Sequence, residues 1–475
     1  MLKFIEQSAA ARVIDDAPKD DDIHVILQYF EHDNAERDME LKLALCSICE
    51  HPLVTVVHLL NERIYDDLTD PKIRQHCLGR RLKFKDVFQY LREHQVRGYH
   101  VIVNSDICFD ETLANLRRSD LHVSKKMLSP LRYEVLDTDA FQQGMLDLNS
   151  CPVFGPRIDS QDAWIFHSYQ TIPEKFEKVF NFQFGKPGCD NKMIYLMRIL
   201  GYDVVNDPAF VKTYHIHASQ DRNYMAKDRV PPPYAYLGPY GYDMAETAGY
   251  YLPPSRPYND VDYENANRVL RKYLVATKNR PYVIPRICPE SNNIDKNLAA
   301  FDHCELYAGW ESFGHEVRHL GQTHDLMLER YPKTMIWAQA FEIFHYIYRQ
   351  PWTQALHNQR ILLVSPLADQ MCAQSSRRTK FYDGVDLFPE CTFLGLESAD
   401  KLDTVQGQYD VALVSCGKES NAVCASIYKR GHSAICVGPA LPMYFGILGK
   451  QWLRDRPDVV RLFLNEAWTQ HVNRV

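Results

Sequence analysis

The run IHVILQYF at 23–30 limits the possible folds more than any other feature of this 475-residue chain. Its apolar residues are nearly continuous, so a strand built from them is buried on both faces, as in parallel sheets covered by helices. The amphipathic stretch ERDMELKLALCSICEHP at 36–52 follows, stopped by His51-Pro52, and LVTVVHLL at 53–60 repeats the continuous apolar type. Strand, helix and strand in that order predict an α/β domain with a mainly parallel sheet. DVFQYLREHQV at 86–96 predicts the next helix. HVIVNSDI at 100–107 predicts the next strand, its polar residues falling where the strand meets its loop.

Regularity drops between 144 and 190, after which NKMIYLMRILGYDVVN at 191–206 predicts a helix closed by Gly201 and a short strand. From Val230 to Pro257 the chain is dense in Pro, Gly and Tyr and reads as a linker or wrapping arm. The expected organisation is a polar lead over 1–22, a first α/β domain over 23–229, the arm over 230–264 and a second α/β domain over 265–475. In the last of these, NANRVLRKYLVATK at 265–278 and MIWAQAFEIFHYIYRQ, ended by Pro351, predict helices. RILLVSPLA at 360–368, YDVALVSCG at 409–417 and HSAICVGPA at 432–440 predict strands running into small-residue loops, with helices near 421–429 and 443–454. This Rossmann-like layout presents Ser365, Ser415, Gly417 and Gly438 toward one crevice, with Ser420 in the same strand-to-helix turn. Neither GxGxxG nor GxxxxGK[ST] occurs, so a dinucleotide or P-loop site has no support.

Composition removes other classes. Lys and Arg total 54 against 61 Asp and Glu, a formal charge of -7, so no broad basic surface awaits a nucleic-acid polymer or a membrane. The N-terminus is too acidic for a signal peptide and no run of 18 apolar residues occurs, which predicts a soluble, cytoplasmic protein without an integral membrane segment. Thirteen scattered cysteines fit a reducing compartment. The single CxxC, Cys46 to Cys49, lies late in a helix, where packing accounts for it better than redox chemistry.

Chemistry concentrates in VIVNSDICFD at 101–110. Asp106 stands at the exit of a buried strand beside Asn104, where an ionised carboxylate needs a partner. One reading is an oxygen-rich Mn²⁺ or Mg²⁺ site bridging phosphates; the other is a helix cap, a role that suits Asp110 better. In FGKPGCDNKMIYL at 184–196, Asp190 opens a helix, either as a general base toward an acceptor hydroxyl or, with Asn191, as its cap. YHIHAS at 214–219 puts His215 and His217 on one face if extended, as metal ligands or as structural hydrogen-bond donors. SQDAWIFH at 160–167 sets Asp162 and Trp164 beside a sugar or at the start of a core strand. Arg63, Arg81, Lys83 and Arg222 lie near strand ends, facing either a diphosphate or solvent. Cys416 ends a buried strand and reads as inert packing.

Taken in order, NERIYD at 61–66, RRLKFKDVFQYL at 80–91, VIVNSDICFDETL at 101–113, SQDAWIF at 160–166, FGKPGCDNKMIYLMRILGYDVVN at 184–206 and YHIHAS at 214–219 resemble glycosyltransferase-like proteins of the GT-A type from large viruses and microbes. The resemblance covers most of 23–225. It implies a Rossmann-type nucleotide-sugar domain in which Asp106 binds Mn²⁺ or Mg²⁺ with Asn104 nearby, and His215 or His217 is a late metal ligand. It also implies Asp190 as base. The expected donor contacts are Asn61, Arg63, Arg81 and Lys83, and Asp162 is expected as a second catalytic carboxylate. The motif is NSD rather than DxD, so the first ligand has no owner. ILLVSP at 361–366, YDVALVSCG at 409–417 and VGPALPMYFGILGKQW at 437–452 resemble the GT-D-type glycosyltransferase-like domain over roughly 285–475. Its DGE-type acidic motif is not evident here, and Glu305, Glu311 and Glu316 lie in the corresponding region.

The expected protein is a two-domain, metal-assisted glycosyltransferase that moves a sugar from a nucleotide-diphosphate-sugar donor to a hydroxyl of a glycan or glycoconjugate. The alternatives are a bifunctional transferase with one site per domain, and a carbohydrate-binding or scaffold protein built on transferase folds.

Overall fold

The computed structural model describes residues 21–240 except 156, 220, 222, 223, 232 and 233; residues 263–287 and 298–309; and 330–470 except 332, 344–350, 383, 450, 451, 454–459 and 461. The chain divides into two compact units, Met1–Tyr251 and Leu252–Val475. Among the described residues, no helix is long and apolar enough to cross a membrane.

In the first unit the apolar runs become β1 (Ile23–Leu27), β2 (Val56–Asn61), β3 (Ile73–Cys77) and β4 (Tyr99–Val103). Further along come β5 (Ile107–Phe109), β6 (Lys126–Leu128), β7 (Tyr133–Val135), β8 (Ala163–His167), β9 (Asp203–Val205) and β10 (Thr213–Ile216). Seven of them form one mixed sheet in the order β3-β2-β1-β4-β8-β6-β9, with β1 to β4 mutually parallel and β8 antiparallel to both its neighbours. β5, β10 and β7 make a smaller sheet. The helix α1 (Ala35–Glu50) is capped by Asn34, whose side chain accepts from the Glu36 and Arg37 amides. Its Leu41, Leu45 and Ile48 pack against Val25, Leu59 and Val101 of the sheet. The helices α2 (Phe84–Glu93) and α3 (Cys189–Ile199) follow.

The topology places a ligand site. From β1 the chain proceeds to β2 and β3 on one side, then crosses to β4 on the other. The C-terminal ends of β1 and β4 therefore flank the switch point at which open α/β sheets bind ligands. Of the arm expected over 230–264, the part over 230–240 lies along this unit: Val230, Ala235, Leu237 and Tyr240 donate their amides to the carbonyls of Pro187, Asn191, Ile158 and Asn206. Residues 241–262 lie outside the described residues.

The second unit contains α4 (Tyr263–Thr277), then β11 (Val283–Ile284), β12 (Leu306–Gly309), β13 (Thr334–Trp337), β14 (Arg360–Val364), β15 (Thr392–Leu396), β16 (Val411–Val414) and β17 (Ser433–Cys436). Five of these form an all-parallel sheet ordered β11-β17-β16-β14-β15. The helices α5 (Ala368–Ser375) and α6 (Ser420–Lys429) follow β14 and β16. Two helix expectations fail here over their first residues, the end of the first, 344–350, lying outside the described residues. Met335 to Trp337 belong to β13, paired with β12, and a 3₁₀ turn over Ala338–Phe341 follows. A short apolar run has no decisive period, and a waiting parallel partner made it a strand. The start of the helix expected near 443–454 lies instead in a 3₁₀ segment, Gly438–Phe445, and β-paired Ile447–Leu448. Pro439 and Pro442 deny it α-helical hydrogen bonds, and Gly446 ends it with φ 66°.

Candidate active site

Three residues beyond β4, Asp106 is locked in place by its own backbone: its carbonyl accepts the Ile216 amide at 2.9 Å, tying the turn to β10. The pairing of β10 with β5 sets His215 opposite Ile107, next to Asp106 in the chain, and His217 follows on the same face. His215 Nε2 is 3.3 Å and His217 Nδ1 4.0 Å from Asp106 Oδ2. One ligand atom from each of these buried residues lies within 4.8 Å of the others, a separation suited to a single ion.

The outer nitrogens support that use. His215 Nδ1 is 3.1 Å from Glu134 Oε2 and His217 Nε2 is 3.0 Å from the Asp221 carbonyl. Hydrogen bonds of this kind fix the tautomer and ring orientation of metal-binding histidines, here turning His215 Nε2 and His217 Nδ1 inward. The donor set of one carboxylate and two imidazoles thus fits a divalent transition ion.

Arg37 is the fourth charged group. It extends the buried stripe of α1 by one turn and pairs with Asp106, donating also to Glu40 at 2.9 Å and the Ile216 carbonyl at 3.2 Å. Burial pushes the Asp106 carboxyl up, but His215 and then Arg37 outweigh it and hold it well below the usual carboxylate range. Burial likewise opposes charge on His215, yet Asp106 raises that imidazole to about 9. An ion held here would take the place of the His215 proton.

Asp106, His215 and His217 border a cavity of about 290 Å³ at the switch point, which Gln28 and Phe30 beyond β1 also line. The size is near the lower end for small-molecule sites, roughly 300 Å³. Asp190 lines the same cavity from the first turn of α3. It is not the cap: that position belongs to Gly188, which takes φ 78° and lies so close to Tyr234 that a Cβ would meet the ring at 3.1 Å. Burial pushes the Asp190 carboxyl up to about 7; amide hydrogen bonds from Asn191 and Gln161 pull it down, while Asp162 and Asp159 push it further up.

Asp162 also lines the cavity, accepting from Asn104 Nδ2 at 2.6 Å and pairing with Arg132. Arg81 and Lys186 add positive charge to the wall, Arg81 donating to the Phe184 carbonyl at 3.1 Å and Lys186 pairing with Asp228 at 3.2 Å. Asn61, Arg63 and Lys83 do not line the cavity. Asn61 is fully buried and accepts the Tyr29 amide, Arg63 pairs with Glu31 at the surface, and Lys83 donates to Asn181. Trp164 is a core residue, edge-on to Phe84. Asp110 caps the 3₁₀ segment Glu111–Arg118. Arg222, Glu311 and Glu316 lie outside the described residues, and Glu305 is an exposed partner of Arg280.

Sequence reasoning missed Arg37, Glu40, Arg132 and Glu134. Arg37 left a signal: it occupies the position before Leu41, Ala44, Leu45 and Ile48 in a buried stripe, where a charge needs a partner. Arg132 and Glu134 sit in an unremarkable alternating stretch and left none.

In the second unit, β14 leads outward to β15 while β16 leads the opposite way to β17, so its switch point lies between the ends of β14 and β16. Ser365 follows β14, and Ser415, Gly417 and Ser420 follow β16; the Ser415 amide reaches Val364 at 2.9 Å. Gly438, beyond β17, packs against the Arg286 guanidinium with φ 70°. Burial pushes the Cys416 thiol up to about 11, which keeps it unreactive.

No protein-family model matches the chain, and no curated protein matches it. Among solved structures it is similar to the mannosyltransferase PcManGT from Pyrobaculum calidifontis, determined in complex with GDP-Man and Mn²⁺, with 14% identity and a TM-score of 0.29. The match covers 47% of this chain and 66% of that one, a little under two thirds of its length.

Proposed function

We propose that the first unit is a metal-assisted glycosyltransferase of the GT-A type, moving a sugar from a nucleotide-diphosphate donor to a glycan hydroxyl. The observation that carries the reading is that Asp106, His215 and His217 border the same switch-point cavity as Asp190. The ordered GT-A-like strings over 61–219 support it. Asp106, His215 and His217 would hold a divalent ion, which would supply positive charge to a departing diphosphate. Two imidazoles favour Mn²⁺ over Mg²⁺, which prefers oxygen ligands. Arg81 and Lys186 reach the phosphates through charge-assisted hydrogen bonds. Asp190, titrating near neutrality, takes the proton of the acceptor hydroxyl, and a single displacement of this kind inverts the anomeric carbon. Cytoplasmic placement and independence of nucleic acid belong to the same reading.

A second reading, favoured by the crevice between β14 and β16, is a bifunctional enzyme with a further GT-D-type site at Ser365, Ser415, Gly417, Ser420 and Gly438. The test is a nucleotide-sugar panel offered with glycan acceptors in Mn²⁺, Mg²⁺ or EDTA. Expected is turnover of one donor, faster with Mn²⁺, abolished by EDTA and by Asp106→Asn. Turnover that survives Asp106→Asn would move the chemistry to the second unit; glycan binding with no turnover of any donor would favour a carbohydrate-binding protein.

A further inference from the structure

We infer that Glu134, Arg132, Asp162 and Asn104 form a chain of hydrogen bonds and ion pairs, closed into a ring by His215, Asp106 and the backbone from Asn104 to Asp106, that positions the metal ligands Asp106 and His215, so that Asp162 is a positioning residue rather than a catalytic one. The inference rests on the metal reading proposed above.

The ring can be followed atom by atom. His215 Nε2 faces Asp106 at 3.3 Å and its Nδ1 faces Glu134 Oε2 at 3.1 Å. Glu134 Oε1 accepts from Arg132 Nε at 2.7 Å, and Arg132 Nη1 both pairs with Asp162 and donates to Ser160 Oγ at 3.0 Å. Asp162 Oδ1 accepts from Asn104 Nδ2 at 2.6 Å, and the Asp162 carbonyl accepts the Asn104 amide at 3.0 Å. Two residues of chain return from Asn104 to Asp106.

Backbone register enforces the assembly. β7 pairs with β10 so that Glu134 lies opposite His215, and Arg132, two residues earlier, shares its face. Arg132 is 7% exposed, so its guanidinium depends on these carboxylates for compensation. Both oxygens of Asp162 are engaged by side-chain donors, whereas Asp190 accepts from the Gln161 amide at a long 3.4 Å. Gln161 immediately precedes Asp162, so the ring also steadies the backbone beside the proposed base.

The test is Mn²⁺ affinity of the full chain, read from the electron paramagnetic resonance of free Mn²⁺, for the wild type, His215→Ala, Glu134→Gln, Asp162→Asn and the Glu134→Gln/Asp162→Asn pair. Each ring variant is expected to weaken binding by about 10- to 100-fold. The double variant is expected to lose far less than the product of the two, because either change opens the same ring. Saturating Mn²⁺ should restore most of the turnover of Asp162→Asn, which loss of a catalytic group would not allow. Wild-type affinity in both single variants, or fully multiplicative losses, overturns the ring while leaving the metal site standing. A wild type that binds no Mn²⁺ overturns the metal reading and the ring with it. Should Asp162→Asn fail to fold, Arg132→Lys, which keeps the charge but loses the planar fork, carries the same expectation.

Discussion

The two units use the same device, a loop leaving the end of a buried parallel strand, and fill it with different chemistry. In the first unit the loop after β4 meets Arg37, His215 and His217, all charged or able to be, at the wall of a cavity, with Glu134 behind His215. In the second, the loop after β16 closes on itself: Ser420 Oγ accepts from the Cys416 amide and donates to the Gly417 carbonyl, both at 2.8 Å. Buried charge is costly unless compensated, so a cluster of it marks a site that serves something besides stability. Neutral hydroxyls satisfied by their own turn carry no such mark.

The largest expected effect lies in the first unit. Asp106→Asn should reduce turnover by about a thousandfold or more, since it removes the ligand on which both imidazoles and Arg37 converge. Cys416→Ala, at the corresponding strand end of the second unit, should leave turnover within about twofold, its thiol being half-buried and protonated. Equal losses in the two variants, measured with the same donor, would erase the contrast between the units.

Next is Asp190→Asn, expected to lower kcat by about 10²- to 10⁴-fold with little change in donor KM. Wild-type kcat should rise with pH and level off above about 7, the value to which burial lifts Asp190. A profile flat from pH 5 to 9 would remove Asp190 as the base.

The same residue sharpens the comparison through stability. A carboxyl raised in the folded state binds more protons folded than unfolded between its ordinary value and about 7, so stability falls as pH climbs through that window. At pH 8, Asp190→Asn should therefore be the more stable protein by about 1–2 kcal/mol, a figure discounted because the side chain borders an open cavity. Below pH 4 the gain should vanish. Denaturant melts at the two pH values check both.

The smallest effect on catalysis is expected from Asn421→Ala. Asn421 accepts the Arg286 amide and donates to the Arg286 carbonyl at 2.7 Å, in the core of the second unit. Its loss should cost about 1–3 kcal/mol of stability, read by calorimetry, and leave sugar transfer unchanged. A parallel fall in transfer would point to chemistry in the second unit after all.

The α/β character of both units was legible in the chain because IHVIL, VVHLL and ILLV leave a strand no exposed face, and the α1 stripe fixes which side packs inward. Helix 189–199 could be read from its pattern. Asp106, Asp190, His215 and His217 were visible as polar residues at the ends of apolar runs. Their convergence was not visible, since Asp106 and His217 lie 111 positions apart in the chain and only the antiparallel register of β10 on β5 closes that distance.

What the sequence determined alone was local: the periodicity of burial, the Pro and Gly stops, and which polar residues stand at strand exits. Tertiary structure decided the rest. It made a strand of Met335 to Trp337, it set Lys83 and Arg63 away from the cavity, and it enclosed Asp162 between Arg132 and Asn104. A hydrogen bond or an ion pair falls off within a few ångströms in space, whereas position along a chain says little about distance until strands have paired.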